Sequence, residues 1–290
     1  SFNKNTESVT VRDGMLWFPN MSVYLKTFDF LFKNQGQLDN WEKTFEGFKS
    51  MRTAFEEITD EEQQMMARNG SIKGYENVIS IIRNKEGELE ETINIEHPII
   101  ATLVNEDGLI QIGDVVHKYT RNKIIRLKNA SQKQVEELKL VNDQNLPSFG
   151  KISPIIRNTT PLNSSRAGNN TSWTTYDAGK KRVKGQLEYY NDGNTKGYSG
   201  CTHHSKKKFG IWWASKTNSL RLQATGTAVW GSVTENIDFD ITETNVKKTA
   251  TYALSYCLVT CQTGPVHIDG THSCGDCNHG SSVVCYTDYY

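Results

Sequence analysis

Tyr252-Ala253-Leu254-Ser255-Tyr256-Cys257-Leu258-Val259-Thr260-Cys261 is the stretch on which the fold of the C-terminal half turns. Tyr252, Leu254, Tyr256 and Leu258 alternate with Ala253, Ser255, Cys257, Val259 and Cys261, the period of two that marks a strand. On that strand Cys257 and Cys261 share a face, separated by roughly 13 Å at about 3.3 Å per residue. A disulfide needs Cα atoms about 4.4–6.8 Å apart. The strand reading therefore denies these two thiols to each other and sends each to a partner elsewhere. Beyond the strand come Cys274-Gly275-Asp276-Cys277 and Cys285, with Cys201 upstream.

Two chemistries compete for these thiols. An even set of six, Cys201, Cys257, Cys261, Cys274, Cys277 and Cys285, allows three disulfides that staple a loop-rich end of a β domain. Alternatively Cys274 and Cys277 form a zinc knuckle, completed by ligands such as His272 and His279. A second knuckle of similar spacing is missing, and the expectation is disulfides with no metal or other cofactor.

Working outward, the period of two extends back to Arg182. Val183, Leu187 to Tyr190, Phe209 to Trp213, Leu220 to Ala224 and Ile237 to Ile241 are strand-like runs separated by Gly, Asn and Ser turns, which predicts a sandwich of antiparallel sheets. Adjacent strand residues point to opposite faces. One of Trp212 and Trp213 then enters the core, and the other faces solvent, a partner or another domain, where a sugar ring would stack. His203-His204-Ser205-Lys206-Lys207-Lys208 reads as a charged turn between strands, and Asp238 and Asp240 as a solvated strand face.

The N-terminal half has another rhythm. From Pro19 to Ile82 the apolar residues recur at helical spacing: Met21, Leu25, Phe28 and Phe32, then Leu38, Trp41, Phe45, Phe48, Phe55 and Ile58, and lastly Ile72, Tyr75, Val78, Ile79 and Ile82. Thr59 with Glu62 forms a capping box for a helix that closes at Asn69-Gly70. Ile99 to Val104 fits a helix or a strand equally. Leu109 to Ile112 and Val115 to Tyr119 predict a hairpin about a Gly113-Asp114 turn, and Ser131 to Leu140 a further helix. Between Asn142 and Gly179 periodicity is lost in an Asn-, Ser- and Thr-rich stretch.

The expected class is α+β: an N-terminal helical region with a β-hairpin over 1–145, a linker or long surface loop over 146–180, and an antiparallel, sandwich-like, cysteine-rich domain over 181–290.

Two segments, Leu103-Val104-Asn105-Glu106-Asp107-Gly108-Leu109-Ile110-Gln111-Ile112-Gly113-Asp114-Val115-Val116-His117-Lys118-Tyr119 and Lys206-Lys207-Lys208-Phe209-Gly210-Ile211-Trp212-Trp213-Ala214-Ser215-Lys216, resemble stretches of uncharacterised secreted or surface lipoproteins of the Bacteroidota. The resemblance implies a surface or secreted location. It brings no reaction, because that family has no assigned catalytic residues. His117 departs from it, standing where tyrosine is commoner, as does the cysteine-rich tail.

Lys and Arg number 33 and Asp and Glu 33, so no net field draws the chain to nucleic acid. The mean hydropathy is −0.59, and no apolar run is long enough for a transmembrane helix. The sequence starts at Ser1 without an apolar signal region, and the expectation is a mature product of an exported precursor. No HExxH, GxSxG elbow or phosphate loop occurs; Gly197-Tyr198-Ser199-Gly200 is too short a match. A non-enzymatic secreted or cell-surface protein follows, located outside the cell or on its outer surface. It acts in adhesion or as a subunit of an extracellular assembly, with a protein or glycan surface partner or by self-association. A glycan-binding module using an exposed tryptophan and a zinc hydrolase built on the tail are the alternatives.

Overall fold

The computed structural model describes residues 8–157, 170–244, 247–275, 277 and 282–289. The architecture is α+β, with antiparallel pairing predominant in its sheets. In chain order the elements begin with β1 (Thr10–Arg12), β2 (Met15–Phe18), α1 (Met21–Lys33), α2 (Leu38–Glu42), α3 (Met51–Glu57) and α4 (Asp60–Asn69). There follow β3 (Ile79–Arg83), β4 (Leu89–Ile93), α5 (Pro98–Leu103), β5 (Leu109–Ile112), β6 (Val115–Tyr119), β7 (Lys123–Lys128), α6 (Gln132–Lys139) and β8 (Lys151–Pro154). Strands alone complete the chain: β9 (Ile156–Arg157), β10 (Thr171–Tyr176), β11 (Lys181–Asn191), β12 (Thr195–Lys208), β13 (Ile211–Ala214), β14 (Leu220–Trp230), β15 (Val233–Glu243), β16 (Thr249–Leu258), β17 (Thr263–Cys274) and β18 (Ser282–Tyr289). Two compact units interleave along it. The first comprises Ser1–Ile58, Ile72–Ser80 and Ile93–Ile155, the second Thr59–Ser71, Ile81–Thr92 and Ile156–Tyr290.

In the first unit six strands form a sheet in the order β1-β2-β5-β6-β7-β8. Ile112 pairs with Val115, so the predicted hairpin turns on Gly113 and Asp114 alone. Ser131 caps α6 in a reciprocal box with Gln134, and Val135 and Leu138 bury against Met15, Leu109, Val116 and Ile125. Asn20 caps α1, whose buried face is Tyr24, Thr27, Phe28 and Leu31. That stripe is rotated from the one expected, and Met21 is exposed.

Two expected helical stretches are broken. Between Glu42 and Met51 the chain turns, because the buried Glu42 carboxylate accepts from the Ser50 N–H at 2.9 Å, Ser50 Oγ at 2.7 Å and Thr53 Oγ1 at 2.8 Å. The segment at 72–82 is turn followed by β3. Asn94 Nδ2 donates to the Glu76 and Asn77 carbonyls and holds the turn, and Ile79, Ile81 and Ile82 are β-branched and suit the strand. Pro98, first residue of α5, settles the ambiguous stretch as helix, since proline is tolerated in a first helical turn and disrupts a ladder.

In the second unit β12 is the pivot. It pairs antiparallel with β11, β13 and β16, and β13 in turn pairs parallel with β4. Four further strands form a sheet in the order β15-β14-β17-β18, antiparallel throughout. One hydrophobic cluster draws on both sheets: Val183, Leu187, Tyr198 and Leu254 from the first, Leu222, Ile237, Ile268 and Val283 from the second. The expected charged turn at His203–Lys208 is instead strand. Thr202 and His204 alternate with Cys201 and His203 about the sheet plane, and the turn falls at Phe209 and Gly210, both with positive φ. The stretch 146–180 contributes β8, β9 and β10, and 158–169 of it lies outside the described residues.

Candidate functional site

The chemistry-bearing side chains of the second unit gather where β11, β12, β17 and β18 meet. β17 places His272 inward and fully buried. Its ring lies over Gly185 on β11 because only glycine leaves room there: a Cβ on Gly185 would strike the imidazole Cδ2 and Cγ. Thr202 Oγ1 lies 2.8 Å from His272 Nδ1 and donates its own proton to the Arg221 carbonyl at 3.0 Å. Thr202 therefore accepts from Nδ1–H, which leaves Nε2 to accept from the Cys285 thiol, 2.9 Å away. The relay runs Cys285 S–H to His272, His272 N–H to Thr202, and Thr202 O–H to the Arg221 carbonyl.

A catalytic thiol–imidazole pair works as the thiolate, in a partly exposed, electropositive setting. Here burial pushes the Cys285 thiol up to about 12, with the Asp269 charge adding to it, and burial pushes His272 down to about 4, aided by His203. Both partners are neutral, and neither is exposed to solvent. The arrangement positions strands β12, β17 and β18 against one another.

A second buried imidazole, His204, is held similarly. Its Nδ1 donates to the Ser215 carbonyl at 2.8 Å and its Nε2 accepts from Tyr176 Oη at 2.6 Å. Cys201 Sγ lies 3.1 Å from His203 Nε2 and 2.8 Å from Thr251 Oγ1.

Three disulfides are expected among the six cysteines, but Cys201, Cys257, Cys261 and Cys285 take no part in one in the structure, and the bond that does form, across the alternative zinc knuckle, is Cys274 to Cys277. Its sulfurs are joined to each other and offer no thiolates, so these two residues do not supply the zinc pair with His272, which is already engaged by Cys285 and Thr202. His279 lies outside the described residues, among which no group of three or more His, Cys, Asp and Glu has the geometry of a metal site.

The expectation that Cys257 and Cys261 are kept apart is also corrected. β16 ends at Leu258, the chain turns through Val259 and Thr260, and the Cys261 N–H donates back to the Leu258 carbonyl at 2.9 Å. The strand alternation runs past the true strand end, and the turn brings Cys261 back against the hydrophobic cluster in which Cys257 is buried, so that the two side chains interact.

Neither predicted tryptophan offers a ring. Trp212 is 2% exposed and Trp213 1%. The Arg182 guanidinium sits 4.5 Å from the Trp212 ring centroid and Lys207 Nζ 5.2 Å, while Trp212 Nε1 donates to Glu88 at 2.9 Å. Trp213 Nε1 donates to the Lys208 carbonyl at 3.3 Å. Around them Arg182 and Lys184 clasp Glu90, each at 2.6 Å. Burial works against ionisation of Glu90, but these two cations hold its carboxyl below the usual range. Asp238 and Asp240 are exposed on β15, and Asp240 is bound bidentately by Arg221 at 2.8 and 2.6 Å, as a solvated strand face predicts.

Two features escaped the sequence reading. Glu91 is buried, its Oε2 accepting from Gln63 Nε2 and the Ala214 N–H at 2.8 Å each, and burial raises its carboxyl to about 7 against the pull of Lys248 and Lys208. Thr202, the anchor of the His272 relay, would have been found by reading 201–208 as alternating strand.

No protein-family model matches the chain, and no curated protein matches it. Among solved structures it is similar to a DUF4848 family protein, a domain of unknown function from Bacteroides thetaiotaomicron, at 11% identity over 97% of this chain and 100% of that one, with a TM-score of 0.32. A likeness of that degree carries no argument about chemistry. Among the described residues no helix is long and apolar enough to cross a membrane.

Proposed function

We propose that this chain is a secreted or cell-surface protein that acts by binding, in adhesion or as a subunit of an extracellular assembly, with a protein or glycan partner or a second copy of itself. The observation that carries the reading is the Cys274–Cys277 disulfide, since structural disulfides persist in oxidising compartments and are rare in reducing ones. The sealed Cys285–His272 pair supports a structural use of the tail, because its groups are neutral and out of reach of a substrate. The core shared by the two sheets of the second unit supports a sandwich, an architecture common in extracellular binding domains.

Membrane-impermeant biotinylation of intact producing cells, combined with alkylation of the recovered protein before and after reduction, tests the proposal. Surface labelling, or recovery from the medium, with Cys274 and Cys277 among the cysteines masked until reduction is the expected result. Protein found only inside the cell with all six thiols free overturns it.

A further inference from the structure

Cys257 and Cys261 lie where the chain leaves one sheet of the second unit for the other: β16 belongs to the β12 sheet and β17 to the β14 sheet. The connection is held from several sides. The Val259 N–H donates to the Asn194 carbonyl at 3.0 Å, the Gly231 N–H to the Gln262 carbonyl at 2.8 Å, and Lys196 Nζ to the Cys261 carbonyl. Cys257 is buried in the shared hydrophobic cluster and Cys261 packs against it half-buried. The corner thus holds two side chains that can react with each other, one of them open to solvent.

We infer that Cys257 and Cys261 form a second local disulfide, which fixes the corner between the two sheets and leaves β17 stapled at both its entry and its exit. The inference draws on the extracellular reading only for its oxidant, a low-molecular-weight disulfide such as oxidised glutathione. The Cys261 thiolate, on the accessible side, attacks one sulfur of that disulfide, forming a mixed disulfide and releasing one thiol. Cys257 then gives up its proton and attacks Cys261 Sγ, closing the bond and releasing the second thiol. Two protein thiols are oxidised, and one disulfide is reduced to two thiols. Burial and its neighbour hold Cys257 up to about 12, so the second step governs the rate and Lys196, whose charge favours the thiolate, assists it.

Chymotrypsin resolves the linkage, because cleavage after Leu258 separates the two cysteines into different peptides. The purified protein is treated with oxidised glutathione, quenched in acid, alkylated in denaturant and digested. Cys201, Cys257, Cys261 and Cys285 are not disulfide-bonded in the structure. The expected result is alkylation of Cys201 and Cys285 only, with the Cys257 and Cys261 peptides recovered as one linked species. In Cys261→Ser, a change at the half-buried position, Cys257 is expected to remain alkylatable under the same treatment. Full alkylation of both Cys257 and Cys261 in the treated wild type overturns the inference, as does a cross-link from either to Cys201 or Cys285. Because the oxidant is supplied in vitro, the outcome is independent of where the cell places the protein.

Discussion

Gly185 shows how one missing methyl group can organise a site. The imidazole of His272 occupies the space a Cβ would need, so Gly185→Ala displaces the ring, breaks its bonds to Thr202 and from Cys285, and overpacks the core there. Overpacking of this kind costs about 1–3 kcal/mol, and a buried imidazole left without partners adds a comparable penalty. We expect the urea midpoint of Gly185→Ala to fall by a clear margin, with Cys285 becoming reactive towards a water-soluble thiol reagent under native conditions. Unchanged stability and a silent Cys285 would count against this account.

At the scale of elements, α4 is the piece whose ends are written most plainly. Thr59 Oγ1 accepts from the Glu62 N–H at 3.2 Å, Glu62 Oε2 accepts from the Thr59 N–H at 2.7 Å, and the helix closes on Gly70 in the left-handed conformation. Thr59→Ala should cost about 1 kcal/mol, read from chemical denaturation, with Thr59→Ser close to wild type. Such local signals were legible in the sequence. So were the Gly113–Asp114 hairpin and the helix expected from Ser131 to Leu140, because each is decided by nearby residues. The break between Glu42 and Met51 was not, since a carboxylate eight residues from Ser50 dictates it. Nor was β3, where helical spacing and β-branching disagree and pairing in the sheet decides. The strand at 201–208 was hidden by its charge: a run of lysines reads as solvated turn until β11 and β13 are known to flank it. The same limit governed the thiols. Alternation placed Cys257 and Cys261 on one strand, and only the return of the chain after Leu258 brings them together.

For the second unit as a whole, Glu91 sets a dependence of stability on pH. Its carboxyl titrates at about 7 when folded against an ordinary value of 4.5, so between these values the folded state holds a proton the unfolded chain has lost. Stability contributed by this group is therefore fully present below about pH 4.5, falls as pH rises, and levels above about 7. At about 1.4 kcal/mol per pH unit the drop is on the order of 3–4 kcal/mol. Glu91→Gln removes the charge but keeps the shape, and the gap in stability between variant and wild type should shift in favour of the variant by that amount from pH 4 to pH 8, measured by urea denaturation at each pH. A constant gap would show that Glu91 does not titrate as its burial requires.

The relay from Cys285 to the Arg221 carbonyl has an optical consequence. The stretching vibration of a thiol S–H absorbs in an infrared window that water and the amide backbone leave clear, and a hydrogen bond to an imidazole nitrogen shifts and intensifies it. Cys285 therefore carries a built-in, label-free probe at the junction of β12, β17 and β18, and its band position registers the closeness of those strands as conditions change.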